Sequence, residues 1–261
     1  MKIIFDRKLL CEVFPPLMCA VSNKSTLSAI EGVLIEAQDA SSGSCVLTTY
    51  DTDKGIRITV DATIYKPGRY IINAQKFSQI IRVMNGDEIE LTVDDKQTAK
   101  ISSGRSTYKM PALDGDSFPS LPEIAHDKGF VISQSLLRGM VAKISHAMAS
   151  DETRQIFNGA FFKIEGDVLT LVSCDGVNLA KCSRKTEIQN KNADGSPLSY
   201  SFIVPVKTIN ELSKLLSDDD EDMTEIYVTR KNILFILGGM TFFSRLIDGD
   251  YIDYNRIILK T

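Results

Sequence analysis

Long apolar runs are missing from this sequence, and none approaches the ~18 consecutive residues that a membrane-spanning helix needs. The first six residues read as a short strand. They lack the apolar stretch and the small-residue cleavage site of a secretory signal peptide. These absences exclude a membrane protein built from helices and predict a soluble protein of the cytoplasm.

Histidines and paired cysteines are also scarce. The 261 residues include two histidines, His126 and His146, and five scattered cysteines, none of them in a CxxC pair. An odd number of scattered cysteines is typical of reduced thiols rather than of a disulfide framework or a zinc site. Two histidines are too few for most metal sites. We therefore expect no bound metal and no cofactor.

Catalytic motifs are absent as well, including the P-loop, a strand-borne GxGxxG, HExxH and GxSxG. Cys174 and Asp175 could form a thiol nucleophile with a distant histidine, but a structural cysteine at a strand end is the simpler interpretation. The acidic run 218–222 is typical of a solvated loop, and a divalent ion there would need oxygens from other segments. We predict that the chain is not an enzyme, with a metal-dependent hydrolase as the alternative class.

What the sequence does contain is an internal repeat with a period of about 130 residues. Each copy opens with a short apolar strand and a residue suited to N-cap a helix. A strand that ends in an Asp turn follows, and then an Asp-Gly-Asp motif. The matching stretches keep the same order: 2–10 with 129–137, 46–51 with 171–175, and 113–116 with 247–250. The alternative is two unrelated α+β domains that share common turn motifs.

Periodicity predicts the same elements in both copies. The second helix is expected at residues 75–84 in the first copy and 206–216 in the second, each with an apolar face. A hairpin follows each helix: 89–93 with 99–102, and 225–229 with 233–237. We predict an α+β fold in which each repeated domain packs two helices on antiparallel sheets.

The two copies are expected to form two domains, residues 1–120 and 128–258. A linker is predicted within residues 117–127, where Pro119 and Pro122 occur and apolar periodicity is weak. The second copy has longer polar loops, at 190–197 and 218–222. In the first predicted helix, Pro15 and Pro16 remove amide donors and clash with the preceding turn, so a break or kink is expected near Phe14.

Positive charge is distributed unevenly. The net charge is −4, yet the four predicted helices and the loop at Lys24 carry nine basic and three acidic residues. Basic residues on one side could neutralise the phosphates of duplex DNA without reading its sequence. The alternative is that they are ordinary solubilising residues on exposed helix faces. The candidate DNA-binding residues are Lys24, Lys76, Arg82, Arg138, Lys143, Lys207 and Lys214.

The repeat, the helix pattern and several motifs together resemble the β sliding clamp of bacterial DNA polymerase III. The resembling stretches are 1–10, 103–108 continuing to 113–121, 154–159, 173–179 and 245–258. The resemblance implies a DNA-clamp fold that encircles duplex DNA, with helices lining the hole and sheets outside. It implies a processivity factor that tethers the replicative polymerase, and it places Lys24, Arg82 and Lys143 near phosphates.

Clamps of this family also bind short peptide motifs of the polymerase III catalytic subunit and the clamp loader. Transferred position by position, the part of that pocket in the second domain consists of Phe157, Cys174, Gly176, Val177, Asn178, Leu179, Ile252, Arg256 and Ile257. Val177 and Asn178 stand where relatives often have His-Arg, and Ile252 where proline is usual. The alternative role for these residues is core or strand-end packing.

Family members have three such domains and self-associate into a ring, whereas the third clamp domain is expected to be absent from this chain. Two interpretations follow. The chain could be a truncated clamp that acts only as a peptide-binding module without ring closure. It could instead be a two-domain clamp of which three copies supply six domains.

Overall fold

The computed structural model describes residues 1–22, 25–126, 128–149, 153–185, 189–191, 196–197 and 199–258. The chain divides into two compact units: unit 1 is Met1–Glu123 with Gly239–Phe242, and unit 2 is Ile124–Gly238 with Phe243–Thr261. The longest helix among the described residues has 12 residues, whereas about 20 are needed to cross a bilayer.

Unit 1 is built from eight antiparallel strands and two α-helices. The elements are β1 (Lys2–Asp6), α1 (Arg7–Met18), β2 (Gly32–Ala37), β3 (Ser44–Tyr50), β4 (Lys54–Lys66), β5 (Gly68–Asn73), α2 (Ala74–Val83), β6 (Glu88–Val93), β7 (Thr98–Ser103) and β8 (Ser106–Asp114). The strands pair in the order β1-β6-β7-β8-β5-β2-β3-β4, and β4 also pairs with β1. The hydrogen-bonded ladder of this unit therefore closes on itself.

The core of unit 1 lies between this ladder and the two helices. Alternation in β1 buries Ile3 and Phe5, and the Asp6 carboxylate then accepts the Leu9 amide at 2.9 Å and starts α1. The ring of Phe14 on α1 meets the ring of Phe77 on α2 edge to face at 5.2 Å. Full burial of an aromatic side chain contributes roughly 1.5–3 kcal/mol, so this contact anchors both helices.

The predicted break in the first helix is wrong. A single helix runs from Arg7 through Pro15 and Pro16 to Met18. The prolines lie in its final turn, so they remove few of its backbone hydrogen bonds. Downstream amides bond three residues back, as Cys19 N–H does to the Pro16 carbonyl at 3.0 Å. Burial of Leu17 holds this turn against the core.

Unit 2 repeats the same element order with one additional short strand and a short terminal helix. Its elements are β9 (Gly129–Ser133), α3 (Gln134–Ile144), β10 (Gly159–Glu165), β11 (Val168–Cys174), β12 (Leu179–Lys185), β13 (Gln189–Lys191), β14 (Ser199–Pro205), α4 (Val206–Leu215), β15 (Met223–Val228), β16 (Asn232–Leu237), the part of β17 (Met240–Arg245) from Phe243 onward, and α5 (Tyr254–Ile257). One sheet has the order β12-β11-β10-β14, and β16, β15, β9 and β13 are neighbours in another.

Equivalent hydrogen bonds confirm the repeat. In unit 1 the amide of Arg7, the first residue of α1, donates to the Asp87 carbonyl at 2.8 Å. In unit 2 the amide of Gln134, the first residue of α3, donates to the Asp222 carbonyl at the same distance. In each unit, a helix start is therefore tied to the residue just before the strand that follows the second helix.

Most predicted elements are found close to their expected bounds. The second helices are Ala74–Val83 and Val206–Leu215, and both predicted hairpins pair antiparallel. The acidic run 218–222 lies in the loop between α4 and β15. The predicted loop 190–197 is partly wrong, because Asn190 pairs with Phe130 in β13, and residues 192–195 lie outside the described part of the chain.

Candidate DNA-facing helices and partner-peptide groove

The predicted DNA-binding residues of unit 1 lie on the solvent face of α2. Lys76 follows the N-cap, where the Asn73 side-chain oxygen accepts the Lys76 amide at 3.0 Å. Arg82 lies in the last turn, where the helix dipole favours a cation. Both side chains are exposed, and neither forms an ion pair with another described residue. Lys24 lies outside the described residues.

The predicted DNA-binding residues of unit 2 divide into free and paired cations. Lys143 in the last turn of α3 and Lys207 in the first turn of α4 are exposed and form no ion pair with the rest of the described chain. Arg138 instead pairs with Asp218 of the acidic run and donates to the Leu216 carbonyl.

Lys214 is also paired, with Glu211 one turn earlier on α4 at 2.9 Å. Prediction from charge alone missed this pairing and that of Arg138, because the number of charges does not reveal which carboxylate folds against which cation.

A further cation lies beside Lys143. Arg184, near the end of β12, lines the same shallow depression as Lys143, Ser135 and Gly139. Gly139 leaves this depression open, since a Cβ there would meet no atom within 4 Å. Arg184 was missed in the sequence because it lies in a strand rather than in a helix. The basic content of 181–185 was the available signal.

The predicted peptide pocket is built around the turn between β11 and β12. The Asp175 carboxylate accepts the amides of Val177 and Asn178 at 2.9 and 2.6 Å, and the Asn178 side-chain amide at 2.9 Å. These bonds, with those from Asn178 the largest cause, hold the pKa of Asp175 at about 2. Gly176 adopts φ +95°, and Val177 at the tip is 92% exposed. The turn therefore presents an apolar side chain on a rigid hydrogen-bonded frame.

Aromatic rings pack against one another beside this turn. The Tyr251 ring stacks on Phe161 at 5.0 Å and meets the buried Phe157 edge on at 6.5 Å. The Arg154 guanidinium lies over Phe157 at 4.3 Å. Burial, with a smaller contribution from Cys174, raises the pKa of Tyr251 well above its ordinary value. Tyr251 thus connects the predicted residues Phe157 and Cys174.

The short helix α5 lies against the same aromatic rings. Its first residue, Tyr254, is buried, tilted against Phe161 at 5.9 Å, with the Lys181 ammonium 5.1 Å from its ring. The predicted residue Arg256 pairs with Asp253 at 2.9 Å, and Ile257 is 56% exposed.

Ile252 and Leu179 are the remaining predicted pocket residues. Ile252 is half-buried just before α5, and Leu179 opposes Cys174 across the β11–β12 ladder. The sequence analysis missed Phe161, Tyr251 and Tyr254. These aromatic residues lie within a few positions of predicted pocket residues, and that proximity could have identified them.

Acidic and thiol side chains do not gather into a metal site in the part of the chain that the structure describes. No group of three His, Cys, Asp or Glu residues is placed to hold an ion there. Carboxylates of the acidic run instead bond to residues of α3: Asp220 accepts the Ser135 hydroxyl, and Asp218 pairs with Arg138.

Comparison with known protein families matches both units. The N-terminal domain of the DNA polymerase III beta subunit matches residues 1–122, and the central domain of the same subunit matches residues 131–253. A beta sliding clamp of Halalkalibacterium halodurans is 31% identical over 259 residues, covering 96% of this chain and 66% of its own. One from Staphylococcus epidermidis is 30% identical over 248 residues. The chain spans 62% of that relative's length.

Solved structures agree with these matches over the whole chain. The DNA polymerase sliding clamp of Bacillus subtilis has a TM-score of 0.91 at 29% identity, covering 100% of this chain and 68% of its own. The sliding clamp of Bartonella birtlesii, solved bound to griselimycin, has a TM-score of 0.88 at 30% identity, covering 99% of this chain and 68% of its own. This chain therefore belongs to the DNA polymerase III beta subunit family of sliding clamps.

Proposed function

We propose that this chain contributes two domains, residues 1–120 and 128–258, to a DNA sliding clamp. Such a clamp is the processivity factor that encircles duplex DNA and tethers the replicative polymerase. The observation that carries the proposal is the similarity to the Bacillus subtilis clamp along the full chain, at a TM-score of 0.91. The role is non-catalytic: the protein holds two other macromolecules together.

Duplex DNA is the proposed partner of the basic helices. Lys76, Arg82, Lys143 and Lys207 are exposed and available for phosphates, and Lys24 belongs to the same proposed set. Lys76 and Lys207 also lie in the first turns of α2 and α4, where the positive end of the helix dipole adds to their charge. Lysine contacts of this kind are independent of base sequence, as a sliding protein requires.

Arg138 and Lys214 are proposed as weaker contributors. Each already has a carboxylate partner on its own unit, so a phosphate would have to displace Asp218 or Glu211. An exposed ion pair contributes about 0–1 kcal/mol, and exchange for a phosphate is therefore close to neutral.

The groove in unit 2 is proposed to bind short peptide motifs of a polymerase catalytic subunit and a clamp loader. Val177 at the turn tip and Ile257 on α5 offer apolar surface, and the rings of Phe157 and Tyr251 provide a preformed base. Apolar pockets with rigid aromatic walls accept leucine or phenylalanine anchors. Val177 and Asn178 replace a His-Arg pair that is common in relatives, so the tip should favour apolar over acidic peptide positions.

Ring closure separates this proposal from a fragment that acts only as a peptide-binding module. The test is retention of the protein on nicked circular DNA after loading by a clamp loader. We expect retention on the circle and release when the circle is linearised, because a ring leaves DNA only over an end. Peptide binding without such retention would favour the module and contradict the clamp.

The DNA surface is tested separately with Lys76→Glu combined with Arg82→Glu. Removing two phosphate contacts should lower the slope of log affinity against log salt by about 1.8, since each contact contributes about 0.9. Electrophoretic mobility shift or anisotropy with a duplex measures it. Arg57→Glu, at an exposed cation on β4, is the control and should leave the slope unchanged within error.

The groove is tested with Val177→Asp and a labelled peptide that contains Leu and Phe anchors. Placing a carboxylate on the apolar tip should weaken the peptide's affinity about tenfold or more. Met223→Asp changes another exposed apolar residue of unit 2 and should alter affinity by less than about twofold. Equal losses in both variants would contradict the assignment of the groove.

A further inference from the structure

Four lysines of unit 1 lie in one row across five neighbouring strands. Lys66 on β4 lies opposite Lys2 on β1, where a bulge shifts the register between Lys2 and Ile3, and Lys2 is paired with Thr92 on β6. Thr92 is paired with Lys100 on β7, and Lys100 with Lys109 on β8. Directly opposed residues share a face of an antiparallel sheet, so we call these five side chains the lysine row.

The lysine row is on the solvent face of the sheet. The residues next to its members along each strand, such as Ile3, Leu91 and Ile101, face the opposite side of the sheet and are fully buried. Lys66, Lys100 and Lys109 are exposed, and Lys2 is half-exposed. Neighbouring strands are about 4.8 Å apart, so the row extends roughly 19 Å over four intervals.

Little within unit 1 neutralises these charges. Lys2 pairs with Glu90 at 3.0 Å. For Lys66, Lys100 and Lys109 no ion pair exists among the described residues. Like charges that face each other across strands destabilise a sheet, and the row has two such pairs. An external anion would relieve this repulsion.

The N-terminal amino group is affected by the same charges. The Met1 ammonium donates to the Val93 carbonyl at 3.1 Å. Burial first, and Lys66 second, lower its pKa, while Asp95 opposes them. The positive potential of the row therefore reaches a neighbouring group.

We propose that the lysine row is a docking surface for an extended acidic segment of a partner protein. This surface is separate from the proposed DNA-facing helices and from the peptide groove, because it lies on the outer face of the unit 1 sheet. The ion pair between Lys2 and Glu90 is an internal example of the contact, since it places a carboxylate directly against one member of the row.

The shape of the charge favours a peptide over nucleic acid. The row is one residue wide, and it is flanked by Glu90 on β6 and by Asp94 in the turn after β6. An extended segment of about six residues, at about 3.3 Å each, matches the length of the row. A duplex carries a charge every ~1.7 Å over a wider surface, and it would place phosphates against the flanking carboxylates.

The test measures binding of fluorescein-labelled hexaglutamate by anisotropy at about 50 mM salt, within the range where exposed charges interact. The test variant is Lys100→Thr with Lys109→Thr, which keeps a residue type that the row already holds at Thr92. We expect an affinity loss of about tenfold. A matched control, Arg57→Thr with Lys8→Gln, removes two exposed cations of unit 1 outside the row and should lose less than about twofold.

Three results would overturn the proposal. One is equal loss in the test and control variants, since the effect would then report net charge alone. Another is absence of hexaglutamate binding to the unaltered chain. The third is tighter binding of a single-stranded or duplex oligonucleotide that is lost in the test variant, which would assign the row to nucleic acid. Thermal unfolding checks that both variants remain folded. We expect the test variant to be folded, because Thr is well tolerated on a sheet surface.

Discussion

The same turn occurs in both units, but it has a different residue at its strained position. Asp51 in unit 1 and Asp175 in unit 2 each accept two backbone amides with the side chain. The next residue has a left-handed backbone, Thr52 at φ +81° and Gly176 at φ +95°. A β-branched residue is strained there, whereas glycine is not. The repeat therefore preserves the hydrogen bonds of the turn but not its local strain.

The two turns also differ in the side chains at their tips. In unit 1 the tip carries charged residues, and Lys54 folds back onto the Asp51 carboxylate. In unit 2 the tip carries the exposed Val177, and the rings of Phe157 and Tyr251 contact each other beside the proposed peptide site. One turn is a closed connection and the other is part of a proposed binding site, although their backbones are hydrogen-bonded alike.

Beneath each turn, a buried hydroxyl caps the preceding helix. Thr49 donates to the Leu17 carbonyl at 2.8 Å, and Ser173 donates to the Ile144 carbonyl at 2.6 Å. All four groups are in equivalent places of the repeat. Because helix ends leave carbonyls unpaired, these hydroxyls should be important for both units.

The largest expected effect comes from removing these two hydroxyls. Ser173→Ala and Thr49→Val should each lower the free energy of unfolding by about 1–3 kcal/mol, because a buried carbonyl loses its partner. Urea denaturation followed by circular dichroism measures it. Ser213→Ala removes an exposed hydroxyl that bonds to the Asn210 carbonyl, and it should change stability by less than about 0.5 kcal/mol. Similar losses in all three would contradict the importance of burial.

Exchange at the strained position should have opposite signs in the two turns. Thr52→Gly should stabilise the protein by up to about 1 kcal/mol through relief of strain. Gly176→Ala should destabilise it by about 1–2 kcal/mol, because alanine disfavours this φ and its Cβ would lie 3.3 Å from the Arg154 guanidinium. Thermal unfolding of the two variants gives the comparison. A change of the same sign in both would show that the strain difference is not the cause.

A smaller effect is expected at the end of each turn. Lys54→Met removes the half-buried ion pair with Asp51. Asn178→Ala removes the hydrogen bond that the Asn178 side-chain amide donates to Asp175. The Lys54→Met variant should lower the free energy of unfolding by about 0.5–1 kcal/mol, and the Asn178→Ala variant should lower it by less. Added salt at about 0.5 M should reduce the Lys54 effect more than the Asn178 effect, since an ion pair is screened more strongly than a hydrogen bond from a neutral amide to a carboxylate. Equal salt dependence would argue against this assignment.

The last expected effect is confined to acid. The folded pKa of Asp175 is about 2, below the ordinary value near 3.9 of an unfolded aspartate. The turn's contribution to stability is therefore fully present above about pH 4 and is lost as the pH falls through about 2. Carbon-detected NMR titration of the Asp175 carboxyl should give a midpoint near 2, and Asn178→Ala should raise it. A midpoint near 3.9 in the unaltered protein would contradict the proposal that hydrogen bonds to the Asp175 carboxylate hold the turn.

Local patterns predicted much of the fold. The apolar spacing of residues 75–84 located α2, and the alternation around Leu91 and Ile101 located a hairpin. Pro15 and Pro16 led to the wrong prediction of a helix break near Phe14. The cost of a proline in a helix depends on how much helix follows it and on what the final turn packs against. Leu17 lies in the core of unit 1, and that burial was not visible in the local sequence.

The candidate sites divide in the same way. Exposure of Lys76 and Lys207 was predictable from their positions opposite an apolar helix face. The pairing of Arg138 with Asp218 was not, because 80 residues separate them in the chain. The stacking of Phe161 on Tyr251 likewise joins residues 90 positions apart.

The sequence alone determined the repeat, the order of most elements and the positions of the two Asp turns. Each of these follows from short-range spacing, which period and capping chemistry specify within about ten residues. Only the tertiary structure decided which cations stay unpaired, which rings form the groove, and that four lysines share one row. Strand register brings together residues from distant parts of the chain, and no local pattern contains that information.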